Sequence, residues 1–191
     1  MKLSTFSVIY IIMAIVLAQS AAPDTYNWQR NTVSELAAQG YSFGWIMQAG
    51  FIGFGGSLAL GVSKKMKTSG KLWYREIPLI IYSLAVLLCG VFSTKPFVEG
   101  VLYSEPESRL HSIFATVAGV ALSITMALDM FTDRETKRRF GHITALVMIL
   151  LLSILFGTVT ELAGLIQRFL YAVGFGWIVF LFEQKKDSKE P

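Results

Sequence analysis

Charge, cysteine and histidine are what this chain has least of. Only 16% of its 191 residues are charged, against about a quarter in an ordinary soluble domain, and its mean hydropathy is +0.54. The single cysteine, Cys89, excludes an internal disulfide and a thiolate-held metal cluster; it reads as a small apolar packing residue. The two histidines, His111 and His142, start apolar runs on opposite membrane sides, which argues against a shared site or a haem held between them. A metal needs three or four ligands in fixed geometry, and one histidine among scattered carboxylates offers no such set, so neither a metal nor a cofactor is expected. A Gly-x-Ser-x-Gly elbow, a Ser–His–Asp order and a phosphate loop after a strand are also missing. No internal repeat and no acidic residue near the middle of an apolar run is present, which argues against an inverted-repeat transporter or an ion-coupled pump.

What the chain does have is six apolar stretches: Leu3 to Ala22, Phe43 to Val62, Ile77 to Ser93, Leu110 to Met130, Ile143 to Val159 and Leu162 to Phe182. Crossing a hydrocarbon core of ~30 Å takes about 20 apolar residues per helix. None of the runs alternates as a barrel strand does, and backbone groups in lipid must be satisfied within their own segment. The expected fold is all-α, a six-helix transmembrane bundle over residues 1–184, with a short polar cytoplasmic tail at 185–191.

The charges give an orientation. With the N-terminus in the cytoplasm, the inside segments hold Lys2; Lys64, Lys65, Lys67, Lys71 and Arg75; Arg134, Lys137, Arg138 and Arg139; and Lys185, Lys186 and Lys189, which is 13 of the 17 basic residues. Arg30, Lys95, Arg109 and Arg168 remain outside. Positive residues in short loops stay inside, so both termini are expected in the cytoplasm of a multi-pass cell-membrane protein. The basic loops suit anionic lipid headgroups rather than nucleic acid. Tyr26, Trp28, Tyr41, Trp45 and Tyr103 would mark the outer interface, with Trp73 and Tyr74 at the inner one. An alternative treats the first run, ending Ala18-Gln19-Ser20-Ala21-Ala22, as a cleaved signal peptide, although Pro23 disfavours cleavage just before it.

Thr32-Val33-Ser34-Glu35 fits a capping box, in which Thr32 caps backbone N–H groups and Glu35 reaches back. A short interfacial helix, stopping at Gly40, is expected in the first outer loop. Ser104-Glu105-Pro106-Glu107 and Thr132 to Glu135 repeat the capping pattern. Two spans carry small residues every fourth position: Ala49, Gly53, Ser57 and Gly61 in the second, Ala115, Gly119, Ser123 and Ala127 in the fourth. Such stripes let helices approach closely in lipid, with each other, or in a homo-oligomer or a membrane-protein partner.

The unusual polar residues gather on the expected outer side. Glu161 and Arg168 are seven residues apart, about two helical turns, with Gln167 beside them. An arginine at that depth snorkels, pairs or faces a polar cavity. His111 follows Glu105, Glu107 and Arg109 and is either a capped interfacial side chain or a proton carrier facing Glu35 or Glu161. Asp129 reads as a snorkelling carboxylate with Arg134 or Lys137 in reach.

Asn31-Thr32-Val33-Ser34-Glu35-Leu36 resembles the isoleucine/valine-Ser-Asp/Glu-Leu-Gly segment of domain-of-unknown-function family 998, a group of six-helix prokaryotic membrane proteins. Val91-Phe92-Ser93-Thr94-Lys95-Pro96 and Leu110-His111 stand where that family has a short outer motif and a histidine opening the fourth helix. Ala37 stands where a glycine often follows the leucine, so the turn falls later, at Gly40. The layout is distantly similar to the Frag/DRAM/Sfk membrane proteins, some of which are linked to lipid remodelling or organisation. The resemblance implies the six-helix fold and points at Glu35 and His111. Three functions stay open: a binder of a lipid or amphipathic ligand with Glu35, His111, Glu161, Gln167 and Arg168 at its polar mouth; a lipid-modifying enzyme with His111 and Glu35 or Glu161 as acid–base groups; and an assembly partner packing through Gly53, Ser57, Gly61, Ala115, Gly119 and Ser123.

Overall fold

The structure, a computed structural model, describes residues 3–69, 74 and 76–182. The expected positions of Lys2, Lys71, Trp73, Arg75 and the tail lie outside the described residues. Six α-helices follow in order: α1 (Leu3–Ser20), α2 (Gly44–Ser69), α3 (Ile77–Val91), α4 (Glu105–Thr132), α5 (Thr136–Thr158) and α6 (Ala163–Trp177), which runs on as a π-helical turn, Ile178–Phe182. Single 3-10 turns occupy Ser34–Ala37 and Thr160–Leu162. There is no strand among the described residues.

Five of these helices are long and apolar enough to cross a membrane. The third is shorter than its apolar run: α3 spans 15 residues, about 22 Å at the α-helical rise, because the chain turns extended at Phe92. Hydroxyl side chains inside the helices are satisfied by the carbonyl one turn back, as with Ser7 on Leu3, Ser83 on Leu79, Thr125 on Ala121 and Ser153 on Ile149. That pattern suits segments with no water to bond. The outward faces are apolar too, with Val147, Leu150, Leu151 and Ile154 of α5 exposed, a surface that a soluble protein would not leave bare.

Each helix packs against the next in the chain, and α1 meets the π-helical turn after α6 to close the ring. Phe54 lies at the centre, its ring against those of Tyr82 and Phe175, with Met47, Leu58, Leu79, Met126 and Ile178 fully buried around it. The small-residue stripe of α2 faces α1: Gly53 lies under the Tyr10 ring, Ser57 donates to the Ser7 hydroxyl at 2.7 Å, and Gly61 sits against Leu3. The α4 stripe does not meet it. Ala115 and Gly119 are exposed, and no atom lies within 4 Å of where a Gly119 Cβ would stand. Close approach of α2 to α3 runs instead through Gly55, where a Cβ would strike the Ser83 carbonyl and the Leu87 amide.

The three capping patterns behave differently. Thr32 and Glu35 exchange both bonds, Glu35 N–H to the Thr32 hydroxyl at 3.2 Å and Thr32 N–H to the Glu35 carboxylate at 2.6 Å. What they cap is one 3-10 turn with Val33, Leu36 and Ala37 buried in the bundle, and Gly40 then takes φ +73°. Ser104 makes no side-chain cap; Glu107 instead accepts the Ser93 N–H at 2.8 Å across the end of α3. Before α5 the N-cap residue Glu135 makes no side-chain cap; Asp133 accepts the N–H of Glu135 at 3.0 Å in a local turn, while Thr132 bonds back to Leu128.

Candidate functional site: a groove beneath an arginine clamp

The chain between α1 and the Ser34–Ala37 turn folds over the start of α6. The first N–H groups of a helix lack intrahelical partners; here Gly164 and Leu165 donate theirs to the carbonyls of Arg30 and Gln29, at 3.1 and 2.9 Å. Gly164 is required for this approach, since a Cβ would collide with the Asn31 and Trp28 carbonyls. Further along α6, Gln167 accepts the Val33 N–H at 2.6 Å.

Arg168 completes the seam. Its Nη1 donates to the carbonyls of Trp28 (2.7 Å), Gly164 (3.0 Å) and Asn31 (3.3 Å), and its Nη2 to Gln19 Oε1 (2.8 Å) and the Tyr26 hydroxyl (2.9 Å). The guanidinium carbon also lies 5.9 Å from the Trp28 ring centroid, within cation–π range. Tyr26 passes the contact on by donating to the Thr32 carbonyl at 3.0 Å. Burial raises the Tyr26 phenol above its usual value, with the Arg168 bond and charge partly offsetting it. Every acceptor on Arg168 is a neutral oxygen, and no carboxylate among the described residues reaches ion-pair distance. Arg168 does not pair with Glu161, two turns back in the sequence count. Glu161 lies in the Thr160–Leu162 turn, before the α-helix begins, and pairs at 3.8 Å with Arg30, both well exposed.

Below Arg168 an apolar groove of about 480 Å³ runs between α1 and α6. Val8, Ile12 and Val16 line one wall, and Tyr171, Phe175 and Gly176 the other; Thr5 and Arg168 are its polar lining residues. A second cleft of similar size near Tyr103 and Ser108 is lined by Lys95, Glu105 and Arg109. There Glu105 already holds Arg109 at 2.7 Å.

The residues singled out in the sequence are thus divided. Glu35, Gln167 and Arg168 meet on the Asn31–Val33 backbone, Glu161 stays at the surface with Arg30, and His111 lies elsewhere, on the α3 side of α4. Its Nδ1 is 2.8 Å from the Phe92 carbonyl and 3.0 Å from that of Cys89. Both partners only accept, so Nδ1 carries a proton and caps the C-terminal end of α3. No hydrogen bond or ion pair joins His111 to Glu35, Glu161 or Arg168.

A second polar cluster occupies the opposite end of the bundle. The Trp177 indole donates to His142 Nδ1 at 2.9 Å, and His142 Nε2 lies 3.4 Å from Asp133 Oδ2. Arg138 bridges Asp133 and Glu135 at 3.3 and 3.0 Å. Asp129, one turn before Asp133, is buried rather than snorkelling. Burial alone would raise the Asp133 carboxyl; the Glu135 N–H, His142 and Arg138 outweigh it and hold the group below its ordinary 3.8. Sequence reasoning named His142, Asp129 and Arg138 separately, passed over Asp133 and Trp177, and missed their convergence; an aspartate at the end of the fourth run and a Trp in the last one, beside His142, were the signal. Among the described residues, no three His, Cys, Asp or Glu side chains come together as metal ligands would.

These features define a multi-helix membrane-type protein, with no familiar catalytic constellation among the described residues. Residues 7–182 match the family described as protein of unknown function (DUF998), and the chain belongs to that family. No curated protein and no solved structure matches it.

Proposed function

We propose that this is a multi-pass cell-membrane protein that holds an anionic membrane lipid in the α1–α6 groove, acyl chain along Val8, Ile12 and Phe175 and headgroup at Arg168. Both termini lie in the cytoplasm in this reading, supported by the distribution of basic residues, and the Ser34–Ala37 turn lies at the outer interface. The observation that carries the reading is a guanidinium satisfied by neutral oxygens alone, at the end of a groove lined almost wholly by apolar side chains. An anion supplies the charge that the protein does not, and a low-dielectric setting strengthens that attraction. The lipid-modifying alternative has less behind it, because His111 is spent on α3 and neither carboxylate is bonded to it.

The test uses the full chain reconstituted in bilayers with spin-labelled phosphatidylglycerol or phosphatidylcholine, reading the motionally restricted lipid fraction. Phosphatidylglycerol should be preferred by about threefold, the scale of a screened ion pair. Gly176→Phe should fill the groove, where a Cβ meets nothing within 4 Å, and remove the preference. Equal association of both lipids, unchanged by Gly176→Phe, sinks the proposal.

A further inference from the structure

The chain between α3 and α4 is pinned at both ends by one residue. Gln39 Nε2 donates to the carbonyls of Ser93 and Ser104, at 3.2 and 3.0 Å, and its Oε1 accepts the Ser104 N–H at 2.7 Å. The Gln39 backbone N–H adds a bond to the Thr94 carbonyl at 3.0 Å. Residues 95–103 therefore form an Ω-type loop, closed at its base. Phe97 turns inward onto the Tyr26 and Tyr41 rings, with centroids 5.6 and 6.0 Å away. Val98, Val101 and Leu102 are left bare, and Leu102 is 97% exposed. In water that apolar surface is unfavourable; at the end of a membrane bundle it meets the boundary of the acyl region.

Lys95 and Tyr103 stand immediately inside the two pinned ends, and Lys95 is fixed further by donating its backbone N–H to Ser108 Oγ at 3.1 Å. With Ser108, Arg109 and Ile113 of α4 they line the cleft of about 480 Å³, which shares no residue with the α1–α6 groove. Lys95 is exposed, and no carboxylate among the described residues lies within ion-pair distance of its ammonium. Glu105 holds Arg109 through a single oxygen, Oε1, on Nε and Nη2, so Arg109 Nη1 is left for another acceptor. Glu99, on the same loop, does not line the cleft. We propose that this cleft binds the phosphate of a membrane lipid, with Lys95 and Arg109 on its oxyanion and an acyl chain along Ile113. A soluble phosphate ester offers the same oxyanion; the bare Leu102 and the exposed Ile113 favour the lipid. Gln39 acts as a positioning residue, because a site whose backbone is fixed beforehand loses less freedom on binding.

The experiment takes the full chain in uncharged micelles and reads bound lipid by native mass spectrometry. The probes are phosphatidylglycerol, its soluble headgroup glycerophosphoglycerol, and dioleoylglycerol, which has acyl chains but no phosphate. Phosphatidylglycerol should be preferred, and Lys95→Gln should weaken it by about fivefold, the scale of one basic residue at a membrane surface. Lys95→Arg should restore the affinity. Gln39→Ala should weaken binding in the wild type but not in Lys95→Gln, whereas a general loosening would act on both. The same series in Gly176→Phe keeps the groove apart, and the effect of Lys95→Gln should persist there. Phosphatidylglycerol binding unchanged by Lys95→Gln overturns the site. An effect that disappears in Gly176→Phe does so too, since the lipid would then be the groove's. Glycerophosphoglycerol bound as tightly as phosphatidylglycerol, and lost in Lys95→Gln, overturns the lipid in favour of a soluble phosphate ester. If Gly176→Phe changes nothing while Lys95→Gln weakens binding, the groove reading fails and this site stands.

Discussion

Arg168 grips Trp28 twice, donating to its backbone carbonyl at 2.7 Å while the guanidinium lies 5.9 Å from its ring centroid. Because four other oxygens share the same side chain, its removal strands a whole loop. Arg168→Ala should lower stability by about 3 kcal/mol, the cost of charge-assisted bonds lost with acceptors left unpaired. Arg168→Lys should recover less than half of that, since one ammonium cannot reproduce the fork. Thermal unfolding in micelles measures both; equal stability of Arg168→Lys and wild type would deny the clamp.

Gly164 and Gly119 should separate sharply. Gly164→Ala forces a methyl into the Asn31 and Trp28 carbonyls and should cost about 2 kcal/mol through backbone displacement. Gly119→Ala meets nothing within 4 Å, and should be neutral or gain up to about 1 kcal/mol from helix propensity. A large loss at Gly119 would mean that something covers that face of α4.

That contrast marks how much was legible in the sequence. Long apolar runs announced the helices, since hydropathy is local and each run satisfies its own backbone. Small residues every fourth position on α2 announced a face able to approach a neighbour, but spacing carries no label for which one. The neighbour is α1, the preceding α-helix, while Ala115 and Gly119 of the similar stripe on α4 are exposed. Glu161 and Arg168 failed to pair because a 3-10 turn interrupts the seven-residue count between them. The clamp on Trp28 and Asn31 and the knot of His142 with Trp177 join positions far apart in sequence, where pattern has no reach.

The Thr32–Glu35 box should behave as a coupled pair. Each partner satisfies the other's N–H, so either Thr32→Ala or Glu35→Ala should cost about 1 kcal/mol, and the double variant less than the sum. Strict additivity in the cycle would show the two bonds to be independent.

Asp133 sets an acid limit. Its carboxyl is held below 3.8 in the folded chain, and a depressed folded value stabilises above the unfolded one. The contribution should therefore be complete at neutral pH and disappear as pH falls from 3.8 through the folded value. Asp133→Asn should lower stability at neutral pH by about 1–2 kcal/mol and flatten the acid slope below 3.8. Unfolding midpoints over an acid series read this directly, and an unchanged slope in Asp133→Asn would assign the acid loss to other carboxylates.

His111 gives the sharpest division between a structural and a chemical role. Its Nδ1–H lies between the carbonyls of Cys89 and Phe92, at a helix end where the last carbonyls lack partners. His111→Ala should leave both unpaired within a buried setting and cost about 2 kcal/mol. An acid–base residue behaves the other way, with activity lost and stability kept. His111→Asn, whose amide can donate to the same carbonyls, should restore part of the loss. If His111→Ala unfolds at the wild-type temperature, the cap is dispensable, and the buried imidazole would need a chemical explanation instead.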